Sequence, residues 1–143
     1  MADAKPAGMI RCVIVTPETT SLDTHVRSVV LPLEDGERGV ARGHTPFIGR
    51  LGAGEVRIVG EHGAAADAVR RVFVAGGFVE AGHDRVTVLA QRAVPAEAVD
   101  LPAARAELEK VRTTPATGHE AIAAKLAAEA AARALVRTAE RSR

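Results

Sequence analysis

Three carboxylates within four residues, Glu34, Asp35 and Glu37, are the densest group in the chain that could serve as an acid and base pair. Such chemistry requires one carboxyl to be desolvated so that its pKa rises. Asp35 and Glu37 flank Gly36 in a turn-forming cluster without apolar residues beside them, so a solvated turn is the expectation. His44 follows Gly43 and precedes Thr45 and Pro46. As a general base it would need a nucleophile, and the hydroxyls on offer are Thr45 and the distant Ser21 and Ser28. A hydrogen bond from one ring nitrogen to its own loop is the expected use, whereas a hydrolase built on His44 would require a concave pocket around it. Gly76 and Gly77, between Ala75 and Phe78, resemble a phosphate cradle only superficially. Nucleotide loops need longer glycine spacing and a following helix whose N–H groups receive the anion, and here a strand pattern follows. Cys12 is the lone cysteine, in an apolar run that reads as a strand with the thiol inward. His25, His44, His62, His83 and His119 lack ligand spacing to it or to one another. No catalytic residue, metal site or cofactor is expected.

Bulk properties narrow the function further. The chain has 143 residues and a formal charge of +1, enough for one domain with an appendage. Eleven basic and 13 acidic residues precede Pro102, and eight basic and five acidic follow it, about −2 against +3. That polarity suits docking on charged protein surfaces and is too weak for a nucleic-acid groove. With three aromatic residues, Phe47, Phe73 and Phe78, and one basic pair in the head, Arg70 and Arg71, stacking on single strands is excluded. Met1 to Gly8 hold no apolar stretch resembling a secretion signal. No run approaches the roughly 20 apolar residues that cross a bilayer, so membrane association is expected only through a partner.

These side chains must be positioned by strands. Before Pro102, Val- and Ile-rich runs alternate with turn residues: Ile10 to Val15, Thr19 to Leu22, Val26 to Leu33 ended by Pro32, Phe47 to Leu51, Glu55 to Val59, Ala68 to Ala75, Gly77 to Ala81 and Arg85 to Ala90. Gly39 and Val40 lead into a corner at Gly43. Gly52, Ala53 and Gly54 predict a tight hairpin between the two strands they separate. The fold class expected is a mainly β head over residues 9–93, a sandwich or flattened antiparallel barrel, followed by a linker over 94–101 and a helical hairpin over 102–143. Parallel pairing is not expected, because no helical crossovers separate the strands.

In the tail, Asp100 is placed to cap a first helix with Pro102 in its opening turn, and Leu101, Ala104, Leu108 and Val111 form a short stripe. A second helix runs from about His119 to Arg141, with Ile122 and Leu126 on one face and the stripe thinning to Ala130 and Ala134, Leu135 and Val136 beside it. Fourteen of the 41 residues from Ala103 to Arg143 are alanine, which favours helix but supplies little packing area. A loosely attached helix pair follows from that composition. A membrane-surface helix is disfavoured by the thin apolar face and by Glu120, Glu129 and Glu140 among the bases.

The run from Leu31 through Glu34, Asp35, Gly36, Glu37, Arg38, Gly39 and Val40 to Gly43, His44, Thr45 and Pro46 resembles the head motif of the epsilon subunit of bacterial ATP synthase, called delta in mitochondria. Leu51, Gly54, Val56 and Ile58, then Val74 to Glu80, then Val86 to Ala90 continue the likeness in order and spacing. The resemblance implies a sandwich head that binds the gamma subunit and rests on polar loops of the c-ring. It also implies two helices that lie on the head or extend toward the alpha/beta hexamer and hinder ATP hydrolysis. Asp35, Gly36, Glu37, Gly39, Gly43, His44, Pro46, Gly76, Gly77 and Phe78 are the interface or loop-shaping candidates that follow. A peripheral place on the cytoplasmic face of a bacterial inner membrane follows too. The competing reading is a sandwich scaffold unrelated to ATP synthase.

Nucleotide-sensing members carry an acidic residue followed three positions later by Arg-Ala. Here Asp100 is followed by Ala103, and Arg105-Ala106 come two residues late. Asp100, Arg105, Arg133 and Arg137 are the candidates for an ATP site, and the departure predicts that none forms.

Overall fold

The computed structural model describes residues 6–141; Met1 to Lys5, and the last two residues of the tail, lie outside the described residues. Eight strands and two helices follow in order: β1 (Ile10–Val15), β2 (Thr20–Val26), β3 (Ser28–Leu33), β4 (Gly36–Ala41), β5 (Phe47–Arg50), β6 (Gly54–Val59), β7 (Val69–Ala81), β8 (Arg85–Pro95), a 3₁₀ turn over Ala96–Ala98, α1 (Leu101–Thr113) and α2 (His119–Arg141). The strands form one continuous sheet in the order β2-β1-β8-β7-β6-β3-β4, with β5 also on β7.

That sheet becomes a sandwich because β7 and β8 serve both layers. The second half of β7 pairs with β5 and its first half with β6, while β8 follows β7 along nearly its whole length. The bend falls at Gly76 and Gly77, with φ of 72° and 114°. A Cβ on Gly77 would lie 1.8 Å from the Leu89 carbonyl oxygen, so no other residue fits there. Val29, Leu31, Val56, Ile58, Val72, Val74, Val79, Val86 and Val88 fill the space between the layers with Ile10, Cys12 and Ile14. Period-two alternation explains the selection: on β8, Val86, Val88 and Ala90 point inward while Thr87 and Leu89 do not.

Several expectations are corrected. Gly52, Ala53 and Gly54 make no hairpin: β5 and β6 run on in the same direction along one edge of β7, and Leu51 N–H donates to Gly77 O at 3.0 Å. Neither Gly52 nor Gly54 has a positive φ. They are needed for close approach to β3, where a Cβ on Gly54 would meet Pro32 Cβ at 2.8 Å. Val26 to Leu33 is two strands broken at Arg27, and Pro32 lies inside β3, its partner Glu37 on β4. Gly36–Ala41 is itself a strand, with Gly39 paired to Val30, and the corner it leads into stands at Gly43, with φ of 86°. The segments 68–75 and 77–81 are one strand, and β8 extends past Ala90 to Pro95. One strand pair is parallel, β1 with β8. All of β2 to β7 intervenes between them, which supplies the long connection that a crossover helix would otherwise provide.

Asp100 caps α1 as expected, its Oδ1 accepting from Ala103 N at 3.2 Å. The apolar stripe expected on α2 holds at its C-terminal end, at Ala134 and Leu135, and fails at its start. Ile122 and Leu126 are 46% and 61% exposed, whereas Ala132, Ala134, Leu135, Thr138 and Ala139 are buried. Phe73, alternating outward between Val72 and Val74, packs with Ala104, Ala134 and Leu135. Small side chains at Ala134 and Ala104 let α2 sit close to that ring, and the C-terminal half of the helix is the docked one.

Two predictions test this architecture. Gly77→Ala lowers unfolding free energy by about 3 kcal/mol, because strained φ adds to the collision with Leu89. Gly63→Ala, with positive φ but open space around it, lowers it by only about 1 kcal/mol; urea unfolding measures both. Cys12 is buried, and desolvation first, then Glu61 and Asp23, push its thiol from 9.0 to about 12. A disulfide reagent at pH 8 therefore labels it only through unfolding. Because the folded pKa is raised, the neutral thiol's contribution is complete below 9.0 and is lost as pH rises toward about 12. A Cys12→Ala variant lacks that part of the alkaline slope in pH-dependent unfolding.

Candidate functional site

The carboxylate cluster disperses on folding. Glu34 and Asp35 are exposed in the β3–β4 turn, as a solvated turn requires. Glu37 opens β4 and accepts from Arg57 on β6 at 2.8 and 3.3 Å, and this hydrogen bond holds its pKa below the ordinary value and raises that of Arg57. A carboxylate kept ionised by a two-pronged guanidinium is a poor proton donor. Glu37 therefore ties β4 to β6 instead of sharing a proton with Asp35.

The Gly43 to Pro46 corner is built by its backbone. Gly43 N–H donates to His83 O at 2.8 Å and His44 N–H to Ala41 O at 3.2 Å. His44 Nδ1 lies 2.7 Å from Thr45 O, and its ring meets Phe47 edge-on at 5.3 Å. One ring nitrogen is thus spent on the loop, as expected from the sequence. Pro46 and Phe47 border a shallow, mostly apolar concavity of about 640 Å³ between Ile48 on β5 and Ala81, Arg85 and Thr87 on the β7–β8 ribbon.

The feature that can do work here is a face. Ile48, Phe78 and Leu89 are 74%, 50% and 49% exposed. Register places Arg50, Phe78 and Leu89 in one row across β5, β7 and β8, and Ile48, Glu80 and Thr87 in the next. Arg50 lies over the Phe78 ring at 5.9 Å and Arg38 over Phe47 at 4.5 Å. Large apolar side chains rimmed by arginine and glutamate suit association with another protein better than binding of a small ligand. Of the sequence candidates, Pro46 and Phe78 border this face, Gly76 and Gly77 shape it, and Asp35 to Gly39 lie on β3–β4. Ile48 and Leu89 were not anticipated. Their signal was an apolar residue in the outward phase of a strand, Leu89 between Val88 and Ala90 above all.

The four tail candidates for ATP do not converge. Asp100 caps α1, Arg105 donates to Glu140 at 3.1 Å, and Arg133 pairs with Glu129 at 3.5 Å. Arg137 borders a different cavity, with Glu37, Glu55 and Arg141. Among the described residues no group of three or more His, Cys, Asp or Glu could hold a metal ion, and no helix is long and apolar enough to cross a membrane.

Comparison with known proteins adds to this geometry. Residues 9–96 match the family described as ATP synthase, delta/epsilon chain, beta-sandwich domain. The ATP synthase epsilon chain of Rhodopirellula baltica is 42% identical over 128 residues, 90% of this chain and 96% of the relative. That of a Synechococcus species is 37% identical over 130 residues, covering 89% and 90%. A chain in the Euglena gracilis mitochondrial ATP synthase, solved as OSCP, F1 and c-ring, shares the fold with a TM-score of 0.74 at 20% identity, over 93% of this chain and 82% of that one. With the sandwich matched from its first strand to its last and the helices included in the full-length likeness, the chain belongs to the ATP synthase delta/epsilon family.

Proposed function

We propose that the chain is a non-catalytic rotor subunit of the F1 sector of an ATP synthase, coupling proton-driven rotation of the c-ring to ATP synthesis through the gamma subunit. The observation that carries the proposal is the outward face of Ile48, Phe78 and Leu89, large apolar side chains in two adjacent rows left uncovered on a two-layer body. The gamma subunit is the partner assigned to it. The Asp35 to Glu37 turn and the His44 corner supply contacts to polar loops of the c-ring. Membrane association is then indirect, on the cytoplasmic face of a bacterial inner membrane.

Mechanical coupling requires a body that resists shear. The β7–β8 ribbon runs through both layers, so sliding one layer over the other would break its ladder at the Gly76–Gly77 bend. The tail needs the opposite property. Its contact with the head is made largely by alanine, so a second position of the helices differs in energy by few kcal/mol. Placed against the alpha/beta hexamer, the helices restrain ATP hydrolysis. The scattered Asp100, Arg105, Arg133 and Arg137 support the absence of an ATP site.

Titration against the gamma subunit of the same organism tests the docking face. Ile48→Asp together with Phe78→Asp weakens binding by at least about tenfold while leaving the unfolding midpoint nearly unchanged, since both side chains are exposed. Equal binding by the double variant would remove the face from the interface. Deleting residues 103 to 143 preserves assembly and raises ATP hydrolysis modestly; lost assembly, or unchanged hydrolysis, contradicts the corresponding half. Calorimetric titration of the isolated chain with ATP gives no saturable binding below about 1 mM.

A further inference from the structure

Glu55 is the buried acidic side chain among the described residues, 6% exposed at the start of β6. Its Oε1 accepts from Arg71 Nε at 3.2 Å and from Arg141 Nη1 at 2.9 Å. Its Oε2 is equally buried and has no hydrogen-bond partner among the described residues. The two donors differ in kind. Arg71 is on β7, hydrogen-bonded to β6, and stays beside Glu55 whatever the tail does. Arg141 is in the last turn of α2, 86 residues along the chain, and reaches Glu55 only while that helix lies on the head.

The surroundings make the second donor decisive. Ala134, Arg137, Thr138 and Arg141 face Glu55 across a cavity of about 260 Å³, so the end of α2 is its cover. Seating the helix withdraws a carboxylate from water, which is costly unless a charged partner arrives with the cover. Lifting it returns Glu55 to solvent with Arg71 still paired, so neither arrangement strands a buried charge. The apolar part of the contact is Phe73 against Ala104, Ala134 and the buried Leu135, with Ala131 and Val136 beside them, a small footprint for a helix of this length. Nothing comparable holds the first half of α2, where Ile122 and Leu126 are exposed.

We infer that Glu55 and Arg141 form a latch that sets the fraction of molecules carrying the tail on the head, with Arg71 as the standing partner that keeps Glu55 paired after release. This rests on the tail being a movable element, as proposed above, and assigns the residues that regulate it. A surface pair would be worth little, and a fully enclosed one would be fixed. Arg141 is half exposed while Glu55 is not, which suits a contact that must form and break.

The test uses the full chain with a thiol introduced by Ala134→Cys, under the docked helix, and Cys12 kept as the internal reporter of global unfolding. In that background Arg141→Gln raises labelling at position 134 about tenfold and leaves the Cys12 rate unchanged. Arg141→Lys, which keeps the charge, raises it by less than about threefold. With Glu55→Gln already present, Arg141→Gln adds less than about twofold, because the interaction is already gone. Three results would overturn the latch: a change below about twofold for Arg141→Gln, parallel acceleration of both thiols, or an undiminished effect beside Glu55→Gln. The measurement involves neither the gamma subunit nor hydrolysis. Its failure therefore leaves the rotor assignment standing, and a failure of gamma binding leaves the latch standing.

Discussion

The β7–β8 ribbon must change layers halfway along its length, and it can do so only where the backbone of β7 presses against that of β8. Gly77 lies so close to the Leu89 carbonyl that any side chain would occupy the same space. From this one contact the rest of the head follows. The first half of β7 becomes the partner of β6 in one layer, and the second half the partner of β5 in the other. β1 is brought beside β8 in parallel, and β2 closes that edge. The inward valines of both layers then meet. The outward residues divide into two populations: Phe73, covered by α2, and Phe78, left bare five residues later on the far side of the bend.

That division gives the two faces of the head different surroundings. On one, Phe73 is sealed by alanine and leucine from the tail and flanked by Arg92 over its ring at 5.5 Å. On the other, Phe78 and Leu89 stand in the open with Arg50 over the ring. Arginine placed over an aromatic face keeps apolar area hydrated at its rim and gives a partner both a flat contact and a charge to satisfy. The same ribbon thus fixes the distance between the docking face and the helical hairpin, because both are carried on β7.

Much of this was legible before folding was considered. Alternation in Ile10 to Val15, Val72 to Val74 and Val86 to Ala90 marks strands and their inward phase, and the change of composition near Pro102 marks the tail. Asp100 and Pro102 announce a helix start by local chemistry alone. What was not legible depends on long-range pairing. Gly52 and Gly54 look like hairpin glycines, but their function is set by Pro32 and Leu33, some twenty residues upstream, which approach too closely for a side chain. Pro32 looks like a strand end, yet on β3 it lies beyond the last residue paired with β6, where its missing N–H costs no ladder bond to that strand. In α2, the stripe read from Ile122 and Leu126 to Ala134 and Leu135 docks only at its far end, where alanine methyls and Leu135 meet the phenyl ring of Phe73. Glu55 gave no signal, since a single glutamate among strand residues acquires meaning only through Arg71 and Arg141.

The proposed role, a joint that transmits torque and carries a movable arm, requires two energy scales kept apart. In the head, an inter-layer core of branched aliphatic side chains and a ribbon common to both layers make deformation cooperative, so motion within it costs a large part of the global stability. In the tail, the apolar contact is Leu135 with alanine methyls on Phe73, small enough that the ion pairs joining tail to head, Arg141 with Glu55 and Glu107 with Arg92, carry weight beside it. Specificity for a single docked position then comes from charge geometry, because methyl groups alone would allow the helix to slide along Phe73 with little penalty. An arginine at the extreme end of α2 is the most sensitive place for that constraint, since a shift of one residue moves its guanidinium by the helix rise of about 1.5 Å and rotates it by about 100° away from Glu55. Weak attachment and a unique resting position are therefore compatible: most of the large side chains belong to the head, and the tail meets it through a small apolar footprint and the charged contacts of Glu107 and Arg141.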